Sequence, residues 1–516
     1  VTAGRPVLYD ASLSSSNGEA SCSSCHVFGD FDSLAWDLGN PDGDVITNLI
    51  PNINFETVFT QFPGDESGLN GSGDVRDLHP MKGPMTTQTL RGMDRAGAMH
   101  WRGDRLDVDA YLAEFGSIPP GISTERLSFK NFIVAFDGLL GSAGLPTEAT
   151  MDAFADFALQ VRLPPNPVRN LDNSLTAAQQ TGMDFFDGST GQLSDGVNQF
   201  GNGFTCEGCH RLAPDQGFFG TGTDASFEAE TQIFKIPHFR NLNQKVGMFG
   251  MPRVDIILNG NQDGGDSFSH MGDQVRGTGF IHDGSIDTLF RFFRADVFGQ
   301  GFLGDPGAGF DGGNAQRRDV EELMLAFDSD LAPIVGQQVT LDDTNLADVS
   351  GRIDLLEQRA GQPFVSAILG GTVTECDLVA KGRWNNRVRS ALYDPGTDEY
   401  TPDSQGDSPI TSAAMRAIAQ TAGQSITYTC VPPGSGVRIG LDRDSDGVWN
   451  YDESLSSTQP YNTGSDPAAC NDVIDNDVVL LWSDKPRIIT GADILGRLLR
   501  GISGGADARG EGRDRR

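Results

Sequence analysis

The sequence predicts a mainly α-helical protein, in which two tandem helical domains precede a small β-containing module near the C-terminus. Two observations predict the helical part. A five-residue cysteine–histidine pattern occurs twice, at 22–26 and 206–210, and apolar side chains recur at helical spacing around both copies. A third observation predicts the β-containing module, since 372–380 and 426–431 have the composition of strands.

The chain is long, acidic and rich in turn-forming residues. Its 516 residues suffice for three or four domains, and 65 glycines and 26 prolines predict many turns and long connections. The formal net charge of −33 argues against nucleic acid and anionic membrane surfaces as partners and favours cationic proteins. Solubility in an extracellular or salty setting would explain the charge equally well. No apolar run approaches the roughly 18 residues that a membrane span needs.

The repeated pattern is typical of covalent attachment of c-type haem. In such a site two cysteine thiols bond to the vinyl groups of one haem, and the next residue, a histidine, gives an imidazole nitrogen to the iron. The alternative is a zinc site built from two Cys-x-x-Cys pairs, and the histidine after both pairs argues against it. The sequence therefore predicts two covalently bound haem c groups, attached and ligated by Cys22, Cys25 and His26 and by Cys206, Cys209 and His210.

Covalent haem and the three remaining cysteines favour an oxidising location, in the periplasm or outside the cell. Because the chain starts at Val1 without an initiator methionine, we expect that a signal peptide has been removed. Cys376 and Cys430 lie in the strand-like runs, so a disulfide between them is expected to staple the module and to contribute a few kcal/mol. Cys470 would then be a free thiol or form an intermolecular bond.

Helical periodicity indicates most elements of the first two domains, which are expected at 1–163 and 168–335. A short helix, a polar turn and the first haem motif open the first domain, and a stiff proline-rich linker follows it. A helix from about Ser174 opens the second domain. The apolar stripes that predict further helices are Phe129, Phe132, Ile133, Phe136 and Leu140, then Met151, Phe154, Phe157 and Val161, and finally Val320, Leu323, Met324 and Phe327.

The two halves share an order of features that indicates an internal duplication. An aromatic–aspartate pair precedes each haem motif, as Tyr9-Asp10 and Phe186-Asp187. A segment with lysine, proline and then arginine follows each motif. A histidine also stands near a Gly-Asp or Asp-Gly turn in each half, at His100 and His282, at a similar distance from the motif. We infer two haem domains in tandem.

About residues 1–335 resemble the bacterial di-haem cytochrome c peroxidases and the related methylamine-utilisation di-haem enzymes. The resemblance lies in 13–26, Trp101-Arg102-Gly103, Phe234-Lys235-Ile236-Pro237, Arg240-Asn241 and His282-Asp283-Gly284. It implies two mostly helical, cytochrome c-like domains whose haems face a shared interface, often with a calcium ion between them. It is specific for the superfamily and not for one activity within it.

The sixth ligand of each iron decides whether a haem only passes electrons or also binds peroxide. In the peroxidases a distal histidine lies a few residues before a Gly-Pro step. For the first haem the resemblance therefore points to His79, with Met81 as the runner-up and His100 as the third candidate.

For the second haem the resemblance is broken, because the position of the family's methionine holds Asp296. A segment inserted before the His-Asp-Gly turn offers candidates instead. Met251 and Met248 are preferred over His270 and Met271, and core filling is the alternative role for the methionines.

The resemblance also implies catalytic residues. The peroxidases carry a glutamate after their tryptophan segment, where it acts as an acid–base group in O–O cleavage. Glu114 lies in the corresponding region, but the residues around it differ from the family pattern, and a solvated helix carboxylate is its alternative role. Trp101 matches the family's tryptophan and would either border an electron path between the haems or pack in the core.

The C-terminal module, expected at 336–470, contains a match to the twelve-residue calcium loop. An exposed acidic turn is the alternative. The expected calcium ligands are Asp442, Asp444, Asp446, the carbonyl of Val448, Asn450 and Glu453, with Gly447 allowing the sharp turn. A stripe of Leu346, Val349, Ile353 and Leu356 predicts a helix earlier in the module. The extension at 471–516 is expected to be polar and partly flexible.

The function expected from these features is electron transfer between extracytoplasmic redox partners by a secreted di-haem c-type cytochrome. The expected partners are small cationic cytochromes or similar redox proteins. Two alternatives stay open. One is the reduction of hydrogen peroxide, and the other is a structural or assembly role within an extracellular redox complex. Resemblance of fold does not choose among the three.

Overall fold

A computed structural model describes residues 3–47, 77–78, 80–193, 205–221, 225–227, 233–247, 277–295, 298, 309–384, 387–456 and 460. About 35% of them are helical and 17% are in strands. A six-stranded antiparallel sheet is the largest sheet among them. The prediction of a mainly α-helical protein with two tandem cytochrome c-like helical domains is therefore wrong, and the described fold mixes short helices with antiparallel strands.

The described helices, numbered in chain order, are mostly short. They are α1 Arg5–Tyr9, α2 Val108–Phe115, α3 Thr124–Lys130, α4 Ala135–Gly138, α5 Glu148–Ala158, α6 Ala177–Phe186, α7 Cys206–Cys209, α8 Leu289–Phe292, α9 Gly313–Leu325, α10 Leu346–Ala360, α11 Ser412–Ala419, α12 Gly436–Gly440 and α13 Asn450–Ser456. Turns of 3-10 helix lie at Ala11–Leu13, Cys22–Ser24, Val27–Gly29, Asp104–Leu106, Asn131–Val134, Pro214–Gln216 and Leu242–Lys245.

The described strands form the six-stranded sheet and several two-stranded sheets. They are β1 Ala35–Asp37, β2 Ile46–Thr47, β3 Asp77–Leu78, β4 Pro84–Thr86, β5 Leu212–Ala213, β6 Phe218–Phe219, β7 Ala225–Phe227, β8 Ile233–Lys235, β9 Gln338–Asp342, β10 Pro363–Ser366, β11 Gly371–Thr374, β12 Asp377–Trp384, β13 Arg387–Asp394, β14 Glu399–Pro402, β15 Ile410–Thr411 and β16 Ser425–Val431. The two-stranded sheets pair β1 with β4, β2 with β3, β5 with β6, β7 with β8 and β10 with β11.

The apolar stripe from Phe129 to Leu140 does not form one helix. It is divided into α3, a 3-10 turn at Asn131–Val134, and α4, which ends at Gly138. Spacing of apolar residues reports which side chains are buried, whereas a continuous helix also needs residues that favour its backbone. Most of these side chains still pack together with those of α5 in one core, which contains Phe129, Ile133, Phe136, Met151 and Phe154.

A second core holds the helix pair α6 and α9, which correspond to the helices expected from about Ser174 and over 319–327. Thr176 and Gln179 form a capping box at the start of α6. The two helices approach closely at Gly182, where an added Cβ would lie 2.3 Å from the carbonyl oxygen of Asp319. Phenylalanines dominate this core, among them Phe185, Phe186, Phe219, Phe239, Phe293 and Phe310.

The C-terminal sheet has the strand order β15-β14-β13-β12-β16-β9, and all its described pairings are antiparallel. Leu341, Leu378 and Ile426 from its strands are buried together with Leu356 of α10, the helix expected from its apolar stripe. The predicted disulfide is confirmed, since Cys376 and Cys430 are bonded with their Cα atoms 5.4 Å apart. The domain boundaries expected at 163, 168, 335 and 470 stay predictions. Cys470 and the extension at 471–516 lie outside the described residues.

Candidate haem sites and metal loop

The first Cys-x-x-Cys-His segment folds into a tight turn that gathers its three side chains. The amide of His26 donates to the carbonyl of Cys22 at 2.9 Å, which closes the turn. Neither Cys22 nor Cys25 is in a disulfide, and both are half-buried. Burial raises the pKa of Cys22 to about 11 and also raises the pKa of Cys25, so both side chains are protonated thiols at neutral pH.

The second segment closes in the same way, as the single helical turn α7. Thr205 caps this turn, because its Oγ1 accepts the amide of Gly208 at 3.2 Å. The amide of His210 donates to the carbonyl of Cys206 at 2.7 Å. Cys206 and Cys209 are half-buried, and Cys206 packs against the phenylalanine-rich core. In both copies the histidine and the two cysteines therefore lie on one turn.

Both histidines that follow the cysteines are held through Nδ1 by a backbone carbonyl. His26 Nδ1 lies 3.3 Å from the oxygen of Asp30, and His210 Nδ1 lies 2.9 Å from the oxygen of Gly220. In metal sites the ligating histidine commonly donates its second ring N–H in this way, which fixes the ring and directs Nε2 to the metal. Burial lowers the pKa of both rings, to about 4 for His210, so both are neutral at neutral pH, as a ligand must be.

The surroundings of both segments are apolar. Phe239 stacks on the ring of His210 with the centroids 4.3 Å apart. Around Cys22 lies the first core, which contributes Val7, Leu8, Met93 and Met99. Cysteines on one turn, a neutral imidazole with its Nδ1 already bonded, and an apolar lining together fit a c-type haem at both places.

Most of the candidate sixth ligands lie outside the described residues, namely His79, Met248, Met251, His270 and Met271. Of the two described candidates, Met81 is 46% exposed. His100 has a positive φ of 73°, and its Nδ1 bonds at 2.6 Å to Oδ1 of Asp104, whose side chain is 4% exposed. A histidine oriented by a carboxylate is a common arrangement in metal ligands, so His100 has the better setting of these two.

Glu114 and Trp101, the two residues proposed for catalysis, have opposite environments. Glu114 is exposed on α2, the helix whose buried residue is Tyr111. Trp101 is buried, and its Nε1 donates to the carbonyl of Thr86 at 2.8 Å. The setting of Glu114 is that of a solvated helix carboxylate, whereas Trp101 belongs to a buried seam.

This seam joins the two halves through Trp101 and through three residues to which the sequence assigned no role, Thr86, Phe234 and His282. The amide and Oγ1 of Thr86 donate to the carbonyl of His282 at 2.7 and 3.2 Å. The ring of His282 stacks on Phe234, with the centroids 4.3 Å apart, and Phe234 packs with Trp101. The one sequence signal was that His282, Phe234 and Trp101 all belong to the segments that carry the family resemblance.

The acidic loop of the C-terminal module brings Asp442, Asp444 and Asp446 together, with one carboxylate oxygen of each within 4.8 Å of the others. Asp442 shapes the loop, since its carboxylate accepts the amides of Ser445 at 2.7 Å and Gly447 at 2.9 Å. The turn at Gly447 requires a positive φ of 93°.

One member of this triad and one further carboxylate beside it are buried. Both oxygens of Asp444, which is 9% exposed, have no hydrogen-bond partner in the part of the chain that the structure describes. Glu453 is fully buried, and burial together with the three aspartates raises its pKa to about 8. Clustered buried carboxylates are stable when a cation neutralises them, so the triad fits a metal ion.

The two other predicted calcium ligands lie in the same loop. The amide of Val448 donates to Oδ1 of Asp446 at 2.8 Å. Oδ1 of Asn450 accepts the amide of Arg443 at 3.0 Å, so this oxygen is used within the loop. Asn450 therefore supports the loop backbone in addition to any contact with a metal.

Comparison with known proteins gives little further information. No family model matches the chain, and no curated protein matches it. Among solved structures, the chain is similar to a chain of the Kuenenia stuttgartiensis hydrazine synthase pressurised with xenon, at 16% identity and a TM-score of 0.34. The match covers 63% of this chain and 86% of that one. Among the described residues, no helix is long and apolar enough to cross a membrane.

Proposed function

We propose that the chain is an extracytoplasmic di-haem c-type cytochrome that carries electrons between redox partner proteins. The observation that carries this proposal is the matched geometry of the two cysteine–histidine turns. Each turn is closed by the same backbone hydrogen bond and presents an imidazole whose Nδ1 already bonds to a carbonyl. A bound c-type haem supplies one-electron chemistry between ferric and ferrous iron.

The residues of each turn have separate tasks in this proposal. The cysteines anchor the cofactor, and His26 and His210 ligate its iron. The carbonyls of Asp30 and Gly220 orient the imidazoles and increase their basicity as ligands. Phe239 covers one face of the His210 ring and keeps water from it.

The buried seam supports electron passage between the two halves. Trp101 contacts Thr86, Thr86 contacts His282, and His282 stacks on Phe234. A continuous series of contacts therefore links these residues of the first half to those of the second. Such a series offers electrons a protein path in place of solvent. Trp101 acts in this proposal as a residue beside the electron path.

The location and partners follow from charge and redox chemistry. The disulfide between Cys376 and Cys430 supports an oxidising compartment, the periplasm or the cell exterior. The net charge of −33 supports small cationic redox proteins as partners. In the C-terminal module, the loop at 442–453 would hold calcium and rigidify the region beside the sheet.

The proposal is tested by visible and EPR spectra of the oxidised, half-reduced and fully reduced protein, before and after addition of peroxide. We expect two low-spin haems that exchange electrons with a small cationic cytochrome and do not respond to peroxide or carbon monoxide. A high-spin ferric signal on half-reduction, followed by rapid reoxidation by peroxide, would show that the function is peroxide reduction and not electron transfer alone. Spectra without haem bands would overturn both functions.

A further inference from the structure

Arg240 is a buried cation of the second half that contacts the backbone of the first half. It is 1% exposed, and its guanidinium carbon lies 4.3 Å from the centroid of the Phe219 ring. Its Nη2 donates to the carbonyls of Gly92 at 2.5 Å and Asp94 at 3.2 Å. These contacts use one of the three guanidinium nitrogens.

The two other nitrogens of Arg240 have no acceptor. Nε and Nη1 are buried and make no hydrogen bond in the described part of the chain. Arginine stays protonated in proteins, and a buried charged donor without a partner is strongly destabilising. The carboxylate with the largest electrostatic effect on Arg240 is that of the buried Asp330. It accepts hydrogen bonds from Ser366 Oγ at 2.7 Å and from the amide of Ala367 at 2.9 Å. Asp330, Asp94, Asp328 and Glu125 all act on the charge of Arg240, but none of them accepts a hydrogen bond from Nε or Nη1.

Two further nitrogen-bearing side chains, Lys235 and His238, lie on the same segment. The Nζ of Lys235 donates to the carbonyl of Ala98 at 2.8 Å, and burial lowers its pKa to about 8. The Nδ1 atom of His238 is buried and has no hydrogen-bond partner among the described residues. Burial, and then the charge of Arg240, lowers its pKa well below the usual value. Lys235 and Arg240 are the cations of this segment, and together with the neutral His238 they form what we call the buried polar cluster.

The cluster adjoins the second cysteine–histidine turn from two directions. Phe219, which lies against the guanidinium, precedes Gly220, whose carbonyl accepts from His210 Nδ1. Phe239, which stacks on His210, precedes Arg240. A haem ligated by His210 would therefore lie beside this cluster, and haem carries two propionate carboxylates. A carboxylate accepts two parallel N–H bonds from a guanidinium, which is what Nε and Nη1 offer.

We propose that Arg240 binds a propionate carboxylate of the haem attached at Cys206 and Cys209. The inference rests on the proposed function and adds a positioning residue to it. The ion pair would neutralise the buried guanidinium, orient the haem and tie it to the first half through the carbonyls of Gly92 and Asp94. Because the anion belongs to the cofactor, the pair would form only when haem is attached.

The test compares haem-loaded wild type with Arg240→Gln, Arg240→Lys and, as a control, Arg389→Gln. Arg389 is also a buried arginine, but it is paired with Asp403 in the C-terminal sheet. Resonance Raman spectroscopy reports the propionate bending bands, and spectroelectrochemistry reports the two midpoint potentials. Haem content is measured from the pyridine haemochrome.

We expect Arg240→Gln to keep two haems, to shift the propionate band of one haem and to lower the potential of that haem alone. The potential falls because an unpaired propionate charge favours ferric iron. Arg240→Lys, which keeps the charge, should restore much of the potential but not the band, and Arg389→Gln should leave both unchanged. If Arg240→Gln does not fold, the test rests on Arg240→Lys, and an unchanged propionate band in that variant would contradict the inference.

An unchanged propionate band in either Arg240 variant, with both haems attached, would overturn this inference and leave the proposed function standing. A wild-type protein without attached haem would instead overturn the proposed function itself.

Discussion

At the scale of single residues, His210 and His26 differ in how firmly they are held. His210 has a 2.9 Å bond from Nδ1 and a stacked phenylalanine, whereas His26 has a 3.3 Å contact. The cysteines and histidines of both turns were predictable because five consecutive residues define the motif. Arg240 was not predictable as a buried cation, since its burial depends on Gly92, Asp94 and Phe219, which are distant in sequence.

Replacement of the second proximal ligand should move the potential of one haem. In His210→Met the haem should remain attached through Cys206 and Cys209, and its midpoint potential should rise, because a thioether favours ferrous iron more than an imidazole does. Spectroelectrochemistry resolves the two haems, and His26→Met is the matched variant that should raise the other potential. Unchanged potentials in both variants would exclude these histidines as ligands.

Asp444 offers a residue-scale test of the calcium loop. Without calcium, Asp444→Asn should unfold at a higher temperature than the wild type. The reason is that burial and the charges of Asp446 and Asp442 disfavour its ionised form, as its raised pKa indicates. With calcium the order should reverse, because binding to the folded wild type adds about 2.7 kcal/mol at one hundred times Kd.

Thermal unfolding with calcium and with a chelator measures both effects. Asp452→Asn is the control, because Asp452 accepts from Ser404 Oγ and the Gln405 amide outside the triad. Equal calcium dependence in Asp444→Asn and wild type would rule out a calcium site at the triad.

At the scale of elements, local pattern predicted α10 and β16, but the strand expected over 372–380 is divided into β11 and β12 with Cys376 between them, and local pattern did not predict how the strands pair. The edge strand β9 pairs with β16, so that Gln338 lies opposite Thr429 across a long stretch of sequence. Such a register depends on burial of one face of the sheet and is not encoded locally. The same limit explains why the stripe at 129–140 suggested one helix where the chain forms a broken one.

The disulfide should stabilise the C-terminal sheet without affecting the haem sites. Cys376 and Cys430 are separated by 54 residues, so the double variant Cys376→Ala, Cys430→Ala should lose about 2–4 kcal/mol of unfolding free energy. Denaturant unfolding followed by far-UV circular dichroism measures the loss, and the Soret band should stay as in the wild type at low denaturant. Loss of the haem bands in the folded variant would contradict this separation of roles.

At the scale of the whole molecule, the fold class was the main error of sequence reasoning. Two copies of a haem motif and several apolar stripes suggested tandem helical domains, while the described chain is a mixture of short helices and antiparallel strands. The motif fixes chemistry over five residues and does not require one fold around it. The 65 glycines of the chain favour turns over long helices, in agreement with the mixed fold.

The most direct test of the account is the intact mass of the denatured protein after expression with periplasmic haem attachment. We predict a mass larger than that of the polypeptide by two haems. The double variant Cys22→Ser, Cys25→Ser should have a mass smaller by one haem, and so should the double variant Cys206→Ser, Cys209→Ser. A wild-type mass equal to that of the polypeptide alone, with zinc bound in the native state, would contradict the account and assign the cysteine pairs to a metal site without haem.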